Sequence, residues 1–377
     1  MTESFPPDVN GVAVTATRVA EHLVLRGHQP LVIAPEPARS SPTLDSSLGY
    51  PVVRVPAVGL PFYPGFRVGL PGPRVRAAIA AHRPDLVHLA GPVVLGASGC
   101  GAAIALGLPT VAVYATDMAA YARTYRLGPA GEAASWRYLR RVHNAAGRTL
   151  APSTATAAQL RARGFDRVHV WARGVDTVRF QPARRSAGLR ARLAPAGEVI
   201  VGYVGRLAAE KRLDLLAEVA GLPGVRLVVV GAGPAEAAAR RALPEAVFIG
   251  QRQGEVLARI YASLDIFVHS GPHDTFGNTL QEAAASGLPV VAPAAGGPLD
   301  LVKNGVTGFL VAPGQARALA DAVAVLAADP CLRAAQGAAA RHAVLGRGWP
   351  ARCEELIGHY RAVLGQPAVG EFAGVAR

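Results

Sequence analysis

Residues 202–211 read GYVGRLAAEK, residues 226–234 read RLVVVGAGP, and residues 269–297 read HSGPHDTFGNTLQEAAASGLPVVAPAAGG. In each stretch a short apolar run ends in a glycine-rich turn. The apolar runs do not alternate with polar residues, which is typical of strands buried on both faces of a parallel sheet. These stretches therefore predict an α/β fold built on parallel strands.

The same pattern of short strands and amphipathic segments extends over most of the chain. Helix-length segments include residues 12–26, 75–82 and 213–219, and an Ala-rich helix followed by Gly-Leu-Pro and a strand occurs twice, at 107–117 and 287–297. At 377 residues the chain is too long for one ordinary core. We predict two doubly wound, Rossmann-like domains, with the boundary between them along the chain near residues 173–185. The candidate strands are 30–35, 85–90, 110–115, 199–205, 226–231, 246–250, 266–270, 289–293 and 309–313.

The start of the chain departs from this pattern. A doubly wound domain normally opens with an apolar strand, but here Met1 comes almost directly before ESFPPDVNGV at 3–12. Either the start is misassigned or the first sheet lacks a central strand, and we favour a misassigned start.

Composition limits the partners and the compartment. The net charge of +13 fits phosphate-bearing ligands or an anionic membrane face, although a general Ala/Arg bias explains part of it. No dense Lys/Arg run with interleaved aromatics occurs, so we expect no nucleic-acid binding. The three widely spaced cysteines form no CxxC pair, which predicts a reducing compartment and neither disulfides nor a zinc site.

An uncharged segment from residue 89 to 116 resembles a membrane span in its hydropathy. Gly-Pro and Gly-Leu-Pro breaks divide it into short pieces, so we predict a buried helix at about 94–106 and a strand at 110–114. No signal peptide is visible. We expect a cytoplasmic protein that can lie peripherally on the inner face of the plasma membrane.

Two basic residues follow the first strand of the second half. Only Lys211 and Lys303 are lysines among the 39 lysines and arginines, so Lys211 stands out five residues after Arg206. Parallel sheets bind ligands at the carboxyl ends of their strands, where this pair would neutralise a diphosphate. The alternative is a simple ion pair of Lys211 with Glu210 or Asp214.

A second group of polar residues follows the strand at 266–270. A helix that begins near Asn278 would direct its free N–H groups at an anion, and Gly277 would allow close backbone approach. Glu282, one turn into this helix, would accept two hydroxyls of a ribose, and Asp274 would hold hydroxyls of a sugar. A solvated helix carboxylate is the alternative for Glu282.

Other candidates are weaker when taken alone. They are the GAGP turn at 231–234, Gly11 in PPDVNGV before a helix, His88, His273 and Asp117. A single histidine is more often a packing or capping residue than a functional one. The chain has no D-x-D triplet and no His/Asp/Glu cluster spaced for Mn²⁺ or Mg²⁺, so we expect neither a metal nor another cofactor.

Together, GRLAAEK, the Asp274–Glu282 pair with GLPVVAPAAGG, and PPDVNGV resemble glycosyltransferase family 4, whose members are retaining, metal-independent enzymes of the GT-B fold. The resemblance covers almost the whole chain, including LAPSTATAAQL at 150–160, RGVDTVRFQP at 173–182 and WPARCEELIGHYRAVL at 349–364. It is strongest toward actinobacterial GDP-mannose-dependent α-mannosyltransferases that act on glycolipids.

The resemblance implies an architecture and a reaction. Residues 1–180 would form an acceptor-binding domain without its first strand, and residues 181–348 would bind the nucleotide sugar. Residues 349–377 would cross back to the first domain. The two domains would face one another across a cleft lined by residues near 8–12, 114–117, 205–211 and 271–282. The reaction would move mannose from GDP-mannose to a lipid or saccharide acceptor.

The resemblance also implies roles for single residues. Arg206 and Lys211 would bind the donor diphosphate and stabilise the leaving group, Glu282 would hold the ribose, and Asp274 would contact the donor sugar. Contacts close to the phosphates would come from Gly11, Gly205 and the helix-start amides of Phe276, Gly277 and Asn278.

Two residues depart from the family pattern. Asp274 stands where Glu is usual and reaches about one methylene less far, and Ala115 stands where many members carry a histidine. The mannosyltransferase subgroup also tends to lack that histidine.

Three alternatives stay open. The donor can be a UDP-sugar used in glycolipid or natural-product biosynthesis, or the protein can be an inactive nucleotide-sugar-binding module. An epimerase or dehydrogenase on a similar scaffold is the third, but GAGPAE at 231–236 lacks the third glycine of a dinucleotide-binding turn.

Overall fold

The computed structural model describes residues 1–8, 10–37, 45–60, 63–115, 117–118 and 128–366. The chain divides into two compact units. Unit 1 comprises Met1–Arg173 together with the chain from Trp349 onward, and unit 2 comprises Gly174–Gly348.

Unit 1 contains three groups of paired strands. Strands β5 to β8 form a parallel sheet in that order, β1 and β2 form a parallel pair, and β3 and β4 form an antiparallel hairpin. The strands are β1 Val32–Pro35, β2 Val52–Val55, β3 Ala57–Leu60, β4 Tyr63–Gly69, β5 Val87–Leu89, β6 Thr110–Val113, β7 Arg148–Ala151 and β8 Val168–Val170.

The first two residues connect two of these groups by backbone hydrogen bonds. The Met1 amino group donates to the carbonyl of His88 over 2.7 Å, and the Ala90 N–H donates to the Met1 carbonyl over 2.8 Å. On the other side, the Thr2 N–H donates to the carbonyl of Ile33 over 3.1 Å. Among the described residues no strand is assigned before Val32, and residues 1–2 lie between β1 and β5.

Helices cover the sheets of unit 1. The helix Trp349–Val363 packs on β6 and β7, where Leu356 and Ile357 contact the strand side chains, and Trp171 Nε1 donates to the carbonyl of Arg352 over 2.7 Å. This helix is therefore part of the core of unit 1. The other helices among the described residues of this unit are Gly11–Leu25, Pro73–His82, Leu95–Ala105, Gly128–Ala145 and Thr154–Ala162, with a 3-10 turn at Asp45–Ser47.

Unit 2 is a single parallel sheet with helices on both faces. Its strand order is β11-β10-β9-β12-β13-β14. The strands are β9 Val199–Val204, β10 Val225–Val230, β11 Val247–Gly250, β12 Ile266–Val268, β13 Val290–Pro293 and β14 Gly308–Val311. The helices are Ala187–Leu193, Ala217–Ala220, Glu236–Ala242, Gly254–Ser263, Asn278–Ala285, Pro298–Leu301, Ala316–Ala328 and Pro330–Leu345, with 3-10 turns at Pro182–Arg184, Ala209–Lys211 and Leu213–Leu216.

The central strand β9 shows why its sequence lacks polar alternation. Ile200 and Val204 contact one layer of helices, while Val201 and Tyr203 contact the other. Gly202 leaves room for Leu264, because a Cβ there would lie 2.1 Å from Leu264 Cδ1. Both faces of β9 are buried, as the continuous apolar run predicted.

Most predicted elements are present, with some differences. The segment predicted as a helix over 213–219 is the 3-10 turn Leu213–Leu216 followed by one α-helical turn, Ala217–Ala220. Strands β2, β3, β4, β7 and β8 were not predicted. Their apolar residues are interrupted by polar ones or glycine.

The prediction for the uncharged segment 89–116 is confirmed over its described residues. It forms the helix Leu95–Ala105 and then β6, whose four residues are all buried. Within the described part of the chain, no helix is long and apolar enough to cross a membrane.

Candidate active site

Four loops at the carboxyl ends of the unit 2 strands pack directly against one another. They follow β9, β10, β12 and β13. Glycines make this packing possible, since a Cβ at Gly231 would lie 1.8 Å from the Gly205 carbonyl oxygen, and one at Gly233 would lie 2.3 Å from that of Leu207. Gly296 likewise allows close packing beside Asp274, because a Cβ at Gly296 would lie 2.4 Å from the Asp274 carbonyl oxygen. The glycines of these turns therefore serve contacts between loops.

The loop after β9 presents Lys211 to the loop after β12. Lys211 ends the 3-10 turn Ala209–Lys211, and its carbonyl accepts a hydrogen bond of 2.7 Å from Ser270 Oγ. Gly271 lets the loops touch, because a Cβ there would lie 3.3 Å from Lys211 Cα. The position of Lys211 is thus set by the neighbouring loop as well as by its own.

Lys211 forms an ion pair with Asp274. Its Nζ donates to Asp274 Oδ1, and the two side chains are only 19% and 18% exposed. The predicted alternative, a pair of Lys211 with Glu210 or Asp214, is wrong, since Asp214 is bound by Arg212 over 2.8 Å. The true partner lies 63 residues away along the chain.

A histidine contacts the other oxygen of the same carboxylate. His269 Nε2 lies 3.0 Å from Asp274 Oδ2, and the imidazole is 2% exposed. Burial of Asp274 favours its neutral form, but attraction by Lys211 and His269 outweighs burial and holds the pKa of Asp274 well below its usual range. Asp274 is therefore an ionised carboxylate between two basic groups.

Arg206 lies at the entrance of the loop after β9. Its backbone is held by Tyr203, whose Oη donates to the Arg206 carbonyl over 3.0 Å, while the residue itself is exposed. Gly205 precedes it and lies against the Tyr203 ring, since a Cβ there would lie 2.9 Å from Tyr203 Oη. The backbone of Arg206 is thus fixed at the carboxyl end of β9.

The predicted helix start at Asn278 is present. The helix Asn278–Ala285 begins after Gly277, which has φ of 109° and provides no side-chain cap. Phe276 is buried in the protein, and a Cβ at Gly297 would lie 1.7 Å from the Phe276 carbonyl oxygen. Phe276 can therefore contribute only its backbone to a ligand, whereas Asn278 Oδ1 is buried and has no hydrogen-bond partner among the described residues.

Glu282 lies one turn further along this helix and is not a solvated surface residue. Tyr261 Oη donates to Glu282 Oε2 over 3.0 Å, and Tyr261 is itself fully buried. Burial raises the pKa of Glu282 to about 7, although the Tyr261 hydrogen bond and Arg179 oppose the shift. A carboxyl group that titrates near neutrality is typical of a functional site.

The candidates in unit 1 have local roles. Gly11 is the first residue of its helix, where Asn10 Oδ1 accepts hydrogen bonds from Val12 and Ala13 over 3.0 Å each. Tyr114 Oη donates to Asp117 Oδ1 over 3.3 Å. The roles predicted for Gly11 and Asp117 stay predictions, and positions 9 and 116 of the predicted cleft lie outside the described residues.

The two predicted histidines differ from one another. His88 Nδ1 lies 2.9 Å from Tyr360 Oη, and burial lowers the pKa of His88 to about 3. This is the packing role that was the alternative for His88, whereas His273 is exposed beside Asp274 in the loop after β12.

The sequence pointed to Lys211, Asp274 and Glu282, but not to their partners. His269 ends an apolar strand and Tyr261 lies in an amphipathic helix, so each is compatible with ordinary packing. The only signal for His269 is its place at the carboxyl end of β12. Tyr261 carries no such signal.

Solved structures with a similar fold define the class. HepE of Anabaena, crystallised with UDP and glucose, superimposes with a TM-score of 0.76 at 21% identity, covering 96% of this chain and 98% of that one. WaaG, a glycosyltransferase of lipopolysaccharide biosynthesis, does so with a TM-score of 0.67 at 17% identity, covering 94% and 97%. The fold is that of the GT-B glycosyltransferases, as predicted.

Sequence comparison places the chain more narrowly. Residues 9–179 match Glycosyltransferase Family 4, and residues 189–343 match Glycosyl transferases group 1. Two similar proteins are named GDP-mannose-dependent alpha-mannosyltransferase. The protein from Mycobacterium tuberculosis is 49% identical, over 97% of this chain and 96% of that protein. The protein from Mycolicibacterium smegmatis is 47% identical, over 97% of both chains. The chain belongs to glycosyltransferase family 4 and is a glycosyltransferase.

Proposed function

We propose that this enzyme transfers mannose from GDP-mannose to a lipid or saccharide acceptor, with retention of anomeric configuration and without a metal ion. The full-length relatives named above support the donor. The observation that carries the site is the part-buried Lys211–Asp274 pair within the loops at the carboxyl ends of β9 and β12. It supplies a cation for a diphosphate and a carboxylate for sugar hydroxyls in one place.

Each part of the donor has a group suited to it. Arg206 and Lys211 bind the diphosphate, together with the free amides at the start of the helix Asn278–Ala285. Glu282 accepts hydrogen bonds from the ribose hydroxyls, and Asp274 from hydroxyls of the mannose.

Retention follows from attack on the face that the diphosphate leaves. The acceptor oxygen bonds to the anomeric carbon as the bond from that carbon to the phosphate oxygen breaks. The acceptor's hydroxyl proton passes to an oxygen of the departing phosphate. Asp274 does not act as a nucleophile, because it holds the sugar hydroxyls and Ala115 offers no alternative. Stabilising the leaving diphosphate is therefore the main contribution of the protein.

Donor identity is tested with the purified protein. Thermal-shift measurements with GDP, UDP and ADP, each with its mannose or glucose conjugate, should show the largest stabilisation for GDP and GDP-mannose. Slow hydrolysis of labelled GDP-mannose should accompany binding. Preference for a UDP-sugar would support the alternative donor, and binding without hydrolysis or transfer would support an inactive module.

The stereochemical proposal has its own test. NMR of the mannosylated product should show the α-anomer that GDP-mannose carries. Asp274→Asn should retain measurable turnover and accept other sugars more readily. If that variant abolished transfer, and a mannosyl ester of Asp274 could be trapped in the wild type, front-face attack would have to be abandoned.

We also propose peripheral contact with an anionic membrane through unit 1, where a lipid acceptor would be collected. Residues 133–165 contain six arginines and no aspartate or glutamate. Arg137, Arg140, Arg141 and Arg163 are exposed, with Tyr138 half-exposed among them. We call these four arginines the basic surface. Such a group attracts anionic headgroups at about 1 kcal/mol per residue.

Vesicle sedimentation tests the basic surface. The protein should sediment with phosphatidylglycerol vesicles, less so with phosphatidylcholine, and less as salt rises. Arg137→Glu combined with Arg141→Glu should abolish sedimentation, whereas Arg241→Glu, an exposed arginine of unit 2, should not. Equal loss in both variants, or no dependence on lipid charge, would reject this contact.

A further inference from the structure

His269 occupies a buried position that the donor-binding roles above do not use. It follows β12 directly and is 2% exposed. Its ring lies parallel to that of Tyr203, with a centroid distance of 6.5 Å and an interplanar angle of 5°. Nε2 lies 3.0 Å from Asp274 Oδ2, while Nδ1 has no hydrogen-bond partner in the described part of the chain. The ring is therefore packed inside the protein with one nitrogen close to Asp274.

The proposed function places a conflicting demand on Lys211. Its ammonium is bound to Asp274 Oδ1, yet it has to bind the donor diphosphate. A largely buried carboxylate that loses the charge of Lys211 is strongly disfavoured. A second basic group on Asp274 would remove this obstacle, and His269 is the group that contacts the other oxygen.

We propose that His269 is a positioning residue that keeps Asp274 ionised and oriented toward the donor sugar when Lys211 moves from Asp274 to the diphosphate. This inference rests on the proposed function. Before donor binding, Asp274 is shared between the two basic groups. After binding, Lys211 neutralises the phosphates, and the Nε2–H of His269 donates to Asp274.

The geometry of the His269–Asp274 contact supports an exchange of partners. Nε2 and Oδ2 are close enough for a hydrogen bond, but the ring N–H does not point at Oδ2 well enough to form one. Release of Oδ1 by Lys211 lets the carboxylate turn about its Cβ–Cγ bond and align with the imidazole, as catalytic hydrogen bonds often do on ligand binding.

Kinetics of single and double variants test the coupling. His269→Ala should lower kcat for mannosyl transfer by about ten- to hundredfold, the usual cost of removing a group that orients a ligand-binding residue, with a smaller change in KM. His269→Gln, whose amide nitrogen reaches about as far as Nε2, should recover most of the rate. In the Asp274→Asn background, His269→Ala should cost less than about twofold. Equal losses in both backgrounds would overturn the inference.

A matched control separates this role from general stability. His143 is also a buried histidine, in unit 1, where its Nδ1 lies 3.3 Å from Thr149 Oγ1. His143→Ala should lower the melting temperature without changing kcat per folded enzyme. If His269→Ala and His143→Ala lowered kcat in parallel with melting temperature, a positioning role would be refuted.

An NMR readout is independent of activity. In the wild type labelled with ¹⁵N-histidine, His269 should be the Nε2-protonated tautomer, identified by loss of its signals in His269→Gln. Adding GDP, which supplies the diphosphate without the donor sugar, should shift the Nε2 proton resonance downfield. Asp274→Asn should remove that shift. An unchanged resonance on GDP saturation would overturn the inference. Absence of transfer from GDP-mannose with an intact NMR response would instead refute the proposed function alone.

Discussion

With the ribose-binding role proposed for Glu282, donor binding should depend on pH near neutrality. Burial raises the pKa of the Glu282 carboxyl to about 7, and the ionised form accepts stronger hydrogen bonds from the ribose hydroxyls, with both of its oxygens. Protonation at low pH therefore competes with the donor. For a group with this pKa, lowering the pH from 8 to 6 should weaken binding about tenfold, or about 1.4 kcal/mol.

Isothermal titration with GDP-mannose at pH 6, 7 and 8 measures this dependence. GDP-mannose is the proper probe, because both of its phosphates are esterified, whereas the terminal phosphate of GDP itself titrates near pH ~6. Glu282→Gln should bind the donor more weakly at pH 8 and show no pH dependence. Tyr261→Phe removes a hydrogen bond that lowers the pKa of Glu282, so its pH midpoint should move upward.

The raised pKa of Glu282 also predicts that the stability of the protein falls as the pH rises, whereas donor binding strengthens. Since the folded pKa of Glu282 lies above its unfolded value of about 4.3, the stability it contributes is complete at low pH and is lost as the pH rises through about 7. Glu282→Gln should therefore gain stability over the wild type at pH 8 but not at pH 4. Donor affinity that stays constant between pH 6 and 8 in the wild type, or falls equally in Glu282→Gln, would refute the reasoning.

Three further outcomes are expected. Lys211→Ala should lower kcat by about 10²–10³ with a much smaller change in the Kd for GDP-mannose. Lys303 is the second lysine and is exposed, so Lys303→Ala should change neither quantity. Equal effects of Lys211→Ala on kcat and Kd would contradict the leaving-group role. Gly233→Ala should destabilise unit 2 by about 2–4 kcal/mol in chemical denaturation and abolish GDP binding, because the new Cβ would meet the Leu207 carbonyl. Gly188→Ala, at an open helix position, should instead stabilise the protein by about 0.5–1 kcal/mol. If Gly233→Ala left stability unchanged, the loops would be able to separate. Activity should survive exhaustive EDTA treatment, since cationic side chains and a helix N-terminus face the diphosphate, and strict Mn²⁺ dependence would reject this.

The sequence alone was sufficient for the architecture of unit 2. Continuous apolar runs predicted each of its strands, because a strand buried on both faces needs no polar alternation. The helix start at Asn278 followed from glycine and the polar residues before it. The positions of Lys211, Asp274 and Glu282 at strand ends were also readable, since ligands bind at that edge of a parallel sheet.

The tertiary structure alone decided how these residues are partnered. Sequence reasoning offered Glu210 or Asp214 for Lys211, because local neighbours are the only partners that spacing can suggest, whereas the fold pairs Lys211 with Asp274. His269 looked like an ordinary strand residue until β12 and its loop brought it within 3.0 Å of the carboxylate. The protonation state of Glu282 likewise depends on its burial beside Tyr261. A pKa responds to desolvation and to nearby charges, and the order of residues in the sequence does not specify either of them.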